Sequence, residues 1–394
     1  MTTLADRRFE MTLRNRVIFG VGEVERLPEV VAALDGSRAF VVTDPGVQRS
    51  GVIDHVLEIL ARDGVPAAVF AEVEPNPGAA TVDRGAAALQ VFGLGGTIVV
   101  PVGGGSAMDT AKALDLRAAN KGGDVWDLPY DGPDLSPGRP LIAVPTTAGT
   151  GAETNSYGVI TDETAGRKGY IGHPSLLPAV TILDPRLTVG LPPAATAATG
   201  VDAMTHALES LLSANPNPFA EAIALGVIRN VGSWLRRAVD EGADLEARAQ
   251  MLMASHLAGA GQASGTGVGL VHALGHAIGT RGKVAHGTAL ATVQPEVLRF
   301  YLGRRDRELA LVGIALGVAS AAEMESTAAV VAVGAIDQLL RDVGQRPTLR
   351  SHGLADDAAI DQLVADALDD AAIRNSPRLP TADEARSILA SVAG

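Results

Sequence analysis

The chain has 394 residues, of which 47% are hydrophobic, so its length predicts two domains with ample apolar side chains for their cores. A formal net charge of −13 without basic tracts argues against nucleic acid or a membrane surface as a partner. The chain has no cysteine, which excludes disulfides and thiolate chemistry, so a metal site must use His, Asp or Glu. The N-terminal segment lacks the apolar core of a signal peptide and no stretch is apolar enough to span a membrane, so we expect a cytoplasmic protein.

The first half of the chain predicts alternating strands and helices. Short β-type apolar runs end in Gly, Pro or Asp, and segments with helical spacing of apolar residues separate them. This βαβ alternation predicts a parallel sheet that is covered on both faces. The predicted strands are 39–43, 67–71, 97–102 and 141–144, and the predicted helices are 52–63, 81–92 and one beginning at Ser106.

The second half predicts an all-α domain. Ala-rich amphipathic segments replace the β-type runs after the sequence LPP at residues 191–193. We therefore expect an α/β domain over residues 1–190 and a helical domain over residues 191–394. The predicted helices of the second domain are 196–212, 218–240, 245–263, 269–279, 306–316, 323–343, 356–370 and 381–393.

A glycine turn follows the third predicted strand. Gly103, Gly104 and Gly105 have no Cβ atom, so the backbone can approach a phosphate closely, and Ser106 can cap the helix that follows. The pattern is neither GxGxxG nor a Walker motif, and an ordinary strand-to-helix turn is the alternative. Its place at the carboxyl end of a parallel strand favours a nucleotide site.

Two further features lie at the ends of predicted strands. Thr146, Thr147 and Thr150 lie in a loop with glycines after the fourth strand, and together with the glycine turn they favour a shared dinucleotide site over a plain Thr-rich turn. Asp44 follows the first strand, where a carboxylate can bind an adenosine ribose and repel a 2′-phosphate. The residue types alone favour the alternative for Asp44, a turn-starting aspartate before proline.

Five candidate metal ligands lie in two segments of the second half. Asp202 and His206 are four residues apart and share one face of a predicted helix. His272 and His276 have the same spacing, and His286 follows ten residues later. Imidazoles with a carboxylate suit Fe²⁺, Zn²⁺, Co²⁺ or Ni²⁺, and the spacing does not choose among them. Separate core or surface histidines are the alternative.

Several motifs occur together as they do in one known family. The chain resembles the iron-dependent, or group III, alcohol dehydrogenases, whose fold is shared with glycerol dehydrogenase and dehydroquinate synthase. The resemblance implies that dehydroquinate synthase-like fold and covers essentially the whole chain in order. The motifs that carry it are GGGSAMDTAK (103–112), PTTAGTGAET (145–154), TGVDAMTHALES (199–210) and HALGHAIGTRGKVAHG (272–287).

The resemblance implies separate roles for the five candidate ligands. Asp202, His206, His272 and His286 match the family's ligands for a divalent metal, with Fe²⁺ expected and Zn²⁺ as the alternative. His276 matches a histidine that faces the nicotinamide, and it is the implied catalytic residue because it can pass a proton to solvent. Residues 191–394 are then the metal-binding and catalytic domain.

The resemblance also implies NAD as the cofactor of residues 1–190. The glycine turn matches the family's pyrophosphate loop, and the threonine loop matches a second cofactor loop. Lys168 matches a lysine near the nicotinamide ribose, Asn76 an asparagine at the cofactor cleft, and Asp44 the acidic position associated with NAD rather than NADP. The residues assigned to the cofactor site are Asp44, Asn76, Gly103, Gly104, Gly105, Ser106, Asp109, Thr146, Thr147, Thr150, Lys168 and His276.

The implied activity is that of an alcohol dehydrogenase and aldehyde reductase. We expect reversible hydride transfer between a primary alcohol and NAD⁺ in an interdomain cleft, with a small alcohol or aldehyde as the partner and a homo-oligomer as the assembly. Two alternatives stay open: a metal-dependent lyase or cyclase of the dehydroquinate synthase type, and a non-catalytic NAD- and metal-binding protein.

The substrate itself stays open. The chain departs from the family at Ala285, where proline is common, and Asn155 and Tyr157 lie where members differ. Arg281 and Lys283 can attract an anionic aldehyde, and two solvated loop charges are the alternative.

Overall fold

The computed structural model describes residues 15–120, 122–128, 135–162 and 167–394. The described chain separates into two compact units. The first unit comprises residues 15–191 and 243–253, and the second comprises residues 192–242 and 254–394. This division differs from the predicted one at residues 243–253, and the boundary near residue 190 stays a prediction. No helix in the described ranges is long and apolar enough to cross a membrane.

The first unit is built on strands. They are β1 (Arg16–Phe19), β2 (Arg38–Val42), β3 (Ala67–Phe70), β4 (Thr97–Gly103), β5 (Ile142–Pro145), β6 (Tyr157–Asp162), β7 (Arg167–Gly172) and β8 (Val180–Leu183). Six of them form a parallel sheet in the order β1-β8-β5-β4-β2-β3, and β6 and β7 form an antiparallel pair. The four predicted strands are confirmed as β2, β3, β4 and β5, and the predicted parallel α/β architecture is confirmed.

Helices cover both faces of this sheet. In β2, Ala39 and Val41 belong to one buried core cluster, whereas Phe40 and Val42 belong to another. Because successive side chains point to opposite faces, a strand that is apolar throughout must be covered on both sides. The helices of this part of the chain are α1 (Leu27–Ala33), α2 (Pro45–Arg49), α3 (Val52–Arg62), α4 (Ala79–Phe92) and α5 (Gly105–Ala119), of which α1 and α3 line the first cluster and α4 and α5 the second.

The register of the sheet brings three strand ends together. Val42 pairs with Pro101, and Gly103 pairs with Pro145, so the carboxyl ends of β2, β4 and β5 are neighbours. The loops that leave these strands carry the candidate cofactor residues. Ligands of open parallel sheets bind at this edge.

The second half of the chain is helical, as predicted. Its helices are α6 (Pro193–Leu212), α7 (Pro218–Asp240), α8 (Leu245–Gly261), α9 (Leu270–Gly282), α10 (His286–Tyr301), α11 (Asp306–Ala315), α12 (Glu325–Asp342), α13 (Asp357–Asp369) and α14 (Ala382–Ser391). All eight predicted helices are confirmed, with ends that move by up to three residues. Short 3₁₀ turns lie at Glu23–Arg26, Val125–Asp127, Ala152–Thr154, Pro174–Leu176, Pro185–Thr188, Leu349–His352 and Ala371–Asn375, and a π turn lies at Gln262–Thr266.

The unpredicted helix α10 packs against α6, which is buried on almost every side. Its proline, Pro295, lies inside the helix, and this residue type normally ends a helical pattern. Near the start of α10, a Cβ atom on Gly287 would lie 1.8 Å from the carbonyl oxygen of Ala198. Only glycine allows this close approach, which brings the first residue of α10 next to the face of α6.

Candidate metal and cofactor site

Four side chains of the second unit converge on one carboxylate oxygen. Asp202 and His206 lie one turn apart on α6, His272 lies in the first turn of α9, and His286 begins α10. The distances from Asp202 Oδ1 to the Nε2 atoms of His206, His272 and His286 are 3.8, 3.6 and 3.5 Å. The donor atoms of Asp202, His206 and His272 all lie within 4.8 Å of one another.

These spacings fit ligands of one metal ion better than hydrogen bonds. N–H···O bonds are rarely longer than about 3.2 Å. Donor atoms bound about 2.1 Å from one metal at tetrahedral angles lie roughly 3.4 Å apart. Within the described ranges, the buried atoms Asp202 Oδ1 and His272 Nε2 have no hydrogen-bond partner, although buried polar atoms normally have one. A divalent cation would satisfy both atoms, and this donor set suits Fe²⁺ or Zn²⁺.

The electrostatics of the cluster favour a charged carboxylate. Burial by itself raises the pKa of Asp202, but the imidazoles of His206 and His286 hold that pKa well below its usual range. Asp202 therefore supplies a negative charge that offsets part of a cation's charge. The His286 side chain is 30% exposed, whereas the other three are 3–8% exposed, so the cluster is open on the His286 side.

Glu209 supports the cluster from behind, and sequence reasoning assigned it no role. It lies seven residues after Asp202 on α6 and is buried. Its carboxylate accepts hydrogen bonds from His272 Nδ1 at 2.6 Å, from Val271 N at 2.7 Å and from Gly269 N at 2.8 Å. Burial alone would lower the pKa of His272, but the charges of Glu209 and Asp202 raise it to about 9. Two sequence signals were available: its seven-residue spacing from Asp202, on the same helix face, and its place in the motif TGVDAMTHALES.

His276 is turned to a different partner. Its Nδ1 donates to Asp370 Oδ2 at 2.8 Å, and its ring stacks on His286 with centroids 5.4 Å apart. Burial lowers the pKa of His276 to about 4, and the Asp370 carboxylate opposes that shift. In the described chain His276 is not one of the imidazoles paired with Asp202 Oδ1. Asp370 lies 94 residues further along the chain, and sequence reasoning missed it.

The glycine turn and the threonine loop of the first unit pack directly on each other. Thr146 N donates to Gly103 O at 3.0 Å. A Cβ atom on Gly104 would lie 3.1 Å from the Thr147 side chain, and one on Gly105 would lie 2.7 Å from Thr150. The sequence predicts that the two loops share one dinucleotide site, and they are in direct contact here.

The predicted helix cap at Ser106 is wrong. Helix α5 begins at Gly105, its N-cap residue is Gly104, and no side chain caps it. Ser106 instead lies in the first turn, where backbone N–H groups point out of the helix toward its N-terminus. A glycine N-cap leaves those groups accessible to an anion such as a phosphate.

Asp44 caps the helix that follows it, and its role toward a ribose stays a prediction. Its Oδ1 accepts hydrogen bonds from Gly46 N at 2.7 Å and Val47 N at 3.0 Å, so it caps α2 as a turn aspartate does. Its Oδ2 would lie 3.6 Å from a Cβ atom on Gly103, next to the glycine turn. The capping role therefore leaves a second carboxylate oxygen beside the candidate pyrophosphate loop.

Asn76 and Lys168 form a hydrogen-bonded pair in the first unit, and the charge of Lys168 acts on Asp109. Lys168 Nζ donates to Asn76 Oδ1 at 2.9 Å, and Asn76 has a φ of +54°, a left-handed conformation that asparagine tolerates. Burial raises the pKa of Asp109 to about 6, and the charges of Lys112 and Lys168 oppose that shift. The structure thus brings together Asn76 and Lys168, which the sequence assigned from segments 92 residues apart.

Lys112 is a buried lysine to which sequence reasoning gave no role. Its Nζ donates to Ala152 O at 2.5 Å, Asn155 Oδ1 at 2.7 Å and Tyr157 O at 3.0 Å. Burial lowers the pKa of Lys112 to about 8, while Asp109 and Glu153 oppose the shift. Three hydrogen bonds from this one ammonium group hold the segment that follows the threonine loop. The sequence signal for such a role was the place of Lys112 in the motif GGGSAMDTAK.

Of the two charges considered for anion attraction, Arg281 already has a partner. Its guanidinium forms a two-pronged ion pair with Asp366 of α13, and its Nη2 lies 3.0 Å from Asp366 Oδ1. Lys283 ends α9 in a left-handed conformation with φ +50°. This pairing favours a surface ion pair over substrate attraction for Arg281.

Two family models together match most of the chain. The family model described as iron-containing alcohol dehydrogenase matches residues 14–185, and the Fe-containing alcohol dehydrogenase C-terminal model matches residues 196–393. The chain is 36% identical to a choline dehydrogenase of Bacillus subtilis (strain 168), over 91% of this chain and 89% of that protein.

Solved structures show the same similarity. A crystal structure of 1,3-propanediol oxidoreductase is 34% identical, with a TM-score of 0.92 over 98% of this chain and all of that one. The sulfoacetaldehyde reductase of Bifidobacterium kashiwanohense in complex with NAD⁺ is 26% identical, with a TM-score of 0.87 over 98% and 99% of the two chains. The chain is an alcohol oxidoreductase, and it belongs to the iron-containing alcohol dehydrogenase family.

Proposed function

We propose that this chain is a divalent metal- and NAD(H)-dependent alcohol dehydrogenase and aldehyde reductase. The observation that carries the proposal is the convergence of three imidazole Nε2 atoms on Asp202 Oδ1, 3.5–3.8 Å away. The family's name makes Fe²⁺ the first choice of metal and leaves Zn²⁺ as the alternative. A solved relative in complex with NAD⁺ supports that nucleotide.

The chemistry divides between the bound groups and the chain. When bound, the metal would polarise the alcohol oxygen and lower its pKa, and NAD⁺ would accept the hydride. Asp202, His206, His272 and His286 would hold the metal. Glu209 accepts a hydrogen bond from His272 Nδ1, so the neutral ring that binds a metal has its lone pair on Nε2, which faces Asp202 Oδ1.

The cofactor residues divide by what each can contact. The Gly103–Gly105 turn and the first turn of α5 offer backbone N–H groups to the pyrophosphate. Asp44 Oδ2 would accept hydrogen bonds from the adenosine ribose and repel a 2′-phosphate. Lys168 and Asn76 form a hydrogen-bonded pair that would contact the nicotinamide ribose, and the charge of Lys168 lowers the pKa of Asp109.

The proton of the alcohol needs its own path. Alcohol oxidation breaks a C–H bond, whose hydride goes to NAD⁺, and an O–H bond, whose proton goes to a base. The ring of His276 is neutral near pH 7 because burial lowers its pKa to about 4. Its Nε2 would take the proton and pass it on to solvent.

The test replaces one ligand and measures metal and turnover together. His272→Ala is expected to lose bound metal and NAD⁺ reduction in parallel. His55→Ala, which removes a partly exposed histidine of the first unit, is the matched control and should retain both. A His272→Ala protein that still oxidises alcohols without metal would refute the proposal. Metal and NAD⁺ binding without turnover on a broad alcohol panel would favour the non-catalytic reading, and product formation without net NADH would favour the lyase.

We propose a small primary alcohol or its aldehyde as the substrate, which the activities named for the relatives support. The division of labour between residues 1–190 and 191–394, the homo-oligomeric state, the cytoplasmic location and the absence of nucleic-acid binding stay predictions. The pairing of Arg281 with Asp366 removes one of the two charges that favoured an anionic aldehyde.

A further inference from the structure

Asp370 is the partner of the histidine that the proposed function assigns to the proton path. Its Oδ2 lies 2.8 Å from His276 Nδ1, and its Oδ1 accepts from Ala372 N at 2.8 Å as the N-cap of the turn Ala371–Asn375. Both oxygens of the carboxylate are therefore engaged, and its position is defined from two sides.

The turn that holds Asp370 is itself anchored within the second unit. Asn375 Nδ2 donates to Val268 O at 3.1 Å, just before α9, and Asn375 O accepts from Ala214 N at 2.9 Å, just after α6. The same two helices, α6 and α9, carry three of the four candidate ligands. Asp370 therefore has a fixed place relative to His276 and to the candidate metal ligands.

A carboxylate can only accept a hydrogen bond, so His276 Nδ1 must carry the proton of that bond. A neutral imidazole with its proton on Nδ1 has its lone pair on Nε2. The ring cannot turn over to offer Nδ1 instead, because it would lose Asp370, and it is packed between His286 at 5.4 Å and His272 at 5.7 Å.

We propose that Asp370 is a positioning residue that fixes the tautomer of His276 and aims its Nε2 as the proton acceptor in alcohol oxidation. In that step the hydride leaves carbon for NAD⁺, and the hydroxyl proton leaves oxygen for Nε2. In aldehyde reduction the same nitrogen returns the proton. The inference rests on the proposed function, since it assigns a role to a partner of His276.

The alternative is a purely structural role, in which the Asp370–His276 hydrogen bond only holds two segments together. The structure offers a matched control for that alternative. Asp366 lies on α13, one turn before Asp370, which directly follows that helix, and it pairs with Arg281 of α9. Asp366→Asn would remove an ion pair between the same two helices without a contact to His276. If the contact at Asp370 were purely structural, substitutions at Asp370 and at Asp366 would have similar effects.

The experiment compares Asp370→Asn, Asp370→Ser and Asp366→Asn, with Asp370→Ser keeping a cap for the Ala372 N–H. We expect kcat to fall about 10-fold or more in both Asp370 variants, which is part of the 10²–10⁴ that a general base contributes. KM for NAD⁺, bound metal and melting temperature should stay at their wild-type values. Asp366→Asn should leave kcat within about twofold of wild type, as for a surface ion pair.

A double-mutant cycle shows whether Asp370 acts through His276. In a His276→Ala background, Asp370→Asn should cause no further loss of kcat, whereas independent effects would multiply. Additive losses, an unchanged kcat in Asp370→Asn and Asp370→Ser, or an equal loss in Asp366→Asn would each overturn the inference. If His276→Ala keeps full turnover, the proton path of the proposed function fails as well; if it loses turnover while the Asp370 variants do not, only this inference fails.

Discussion

Replacing Glu209 by glutamine tests how the second unit holds its candidate metal. The carboxylate now accepts three hydrogen bonds, from His272 Nδ1, Val271 N and Gly269 N, at 2.6–2.8 Å. A glutamine has the same size, but its amide has a single acceptor oxygen and an NH₂ group that must face one of those donors. The substitution therefore removes the charge behind His272 and leaves at least one buried donor unpaired.

The expected magnitude follows from that hydrogen-bond count. Hydrogen bonds to a charged group contribute about 1.5–3 kcal/mol each, and an orphaned buried donor costs about 1–3 kcal/mol. Loss of the carboxylate behind a metal-bound histidine typically lowers metal affinity about 10- to 100-fold. We therefore expect the metal dissociation constant of Glu209→Gln to rise by about 10- to 100-fold, or roughly 1.4–2.8 kcal/mol.

The assay is competition between the protein and a chelator of known affinity. Glu325→Gln, which changes an exposed glutamate in the first turn of α12, is the matched control and should bind metal as wild type does. Melting temperatures with and without metal separate a weaker site from a damaged fold. A Glu209→Gln protein with metal affinity within about twofold of wild type would refute the reasoning that a charged acceptor must face His272 Nδ1.

Three other substitutions test the remaining contacts. Asp44→Ser keeps a helix cap but removes the charge beside the glycine turn, so the preference for NAD⁺ over NADP⁺ should fall by about tenfold in kcat/KM; an unchanged preference would contradict the ribose role. Gly287→Ala would place a Cβ atom 1.8 Å from Ala198 O, and denaturant unfolding should show a loss of about 1–3 kcal/mol with lower metal content, whereas wild-type stability would contradict the close approach. Lys112→Met leaves three acceptors unpaired in the segment that follows the threonine loop, so KM for NAD⁺ should rise while bound metal stays constant. An unchanged KM would show that Lys112 does not hold this segment in place for the cofactor.

The parallel sheet could be predicted because its strands are apolar on both faces. In β2 and β4 the apolar residues are consecutive, and the turns that end them contain glycine or aspartate. The pair β6–β7, the edge strand β1 and the four-residue strand β8 were missed. These strands mix polar, glycine and apolar residues, or are too short to show alternation. Helix α10 was missed because Pro295 interrupts its pattern.

The candidate site was only partly predictable from the sequence. Helical spacing predicts that Asp202 and His206 share a face, but the same spacing made His272 and His276 look like a ligand pair. The difference between them lies in contacts that no local pattern contains: Glu209 bonds His272 from 63 residues away, and Asp370 bonds His276 from 94 residues away. The tertiary fold decides which imidazole nitrogen is left to face the cluster.

The most direct test of the account is metal removal and reconstitution with the wild-type protein. Chelation should abolish NAD⁺ reduction by a primary alcohol, and stepwise addition of Fe²⁺ should restore it in proportion to the metal bound. The restored activity should level off when each chain has bound one metal ion. Full NADH production by the metal-free protein, or metal binding that leaves activity unchanged, would contradict the account.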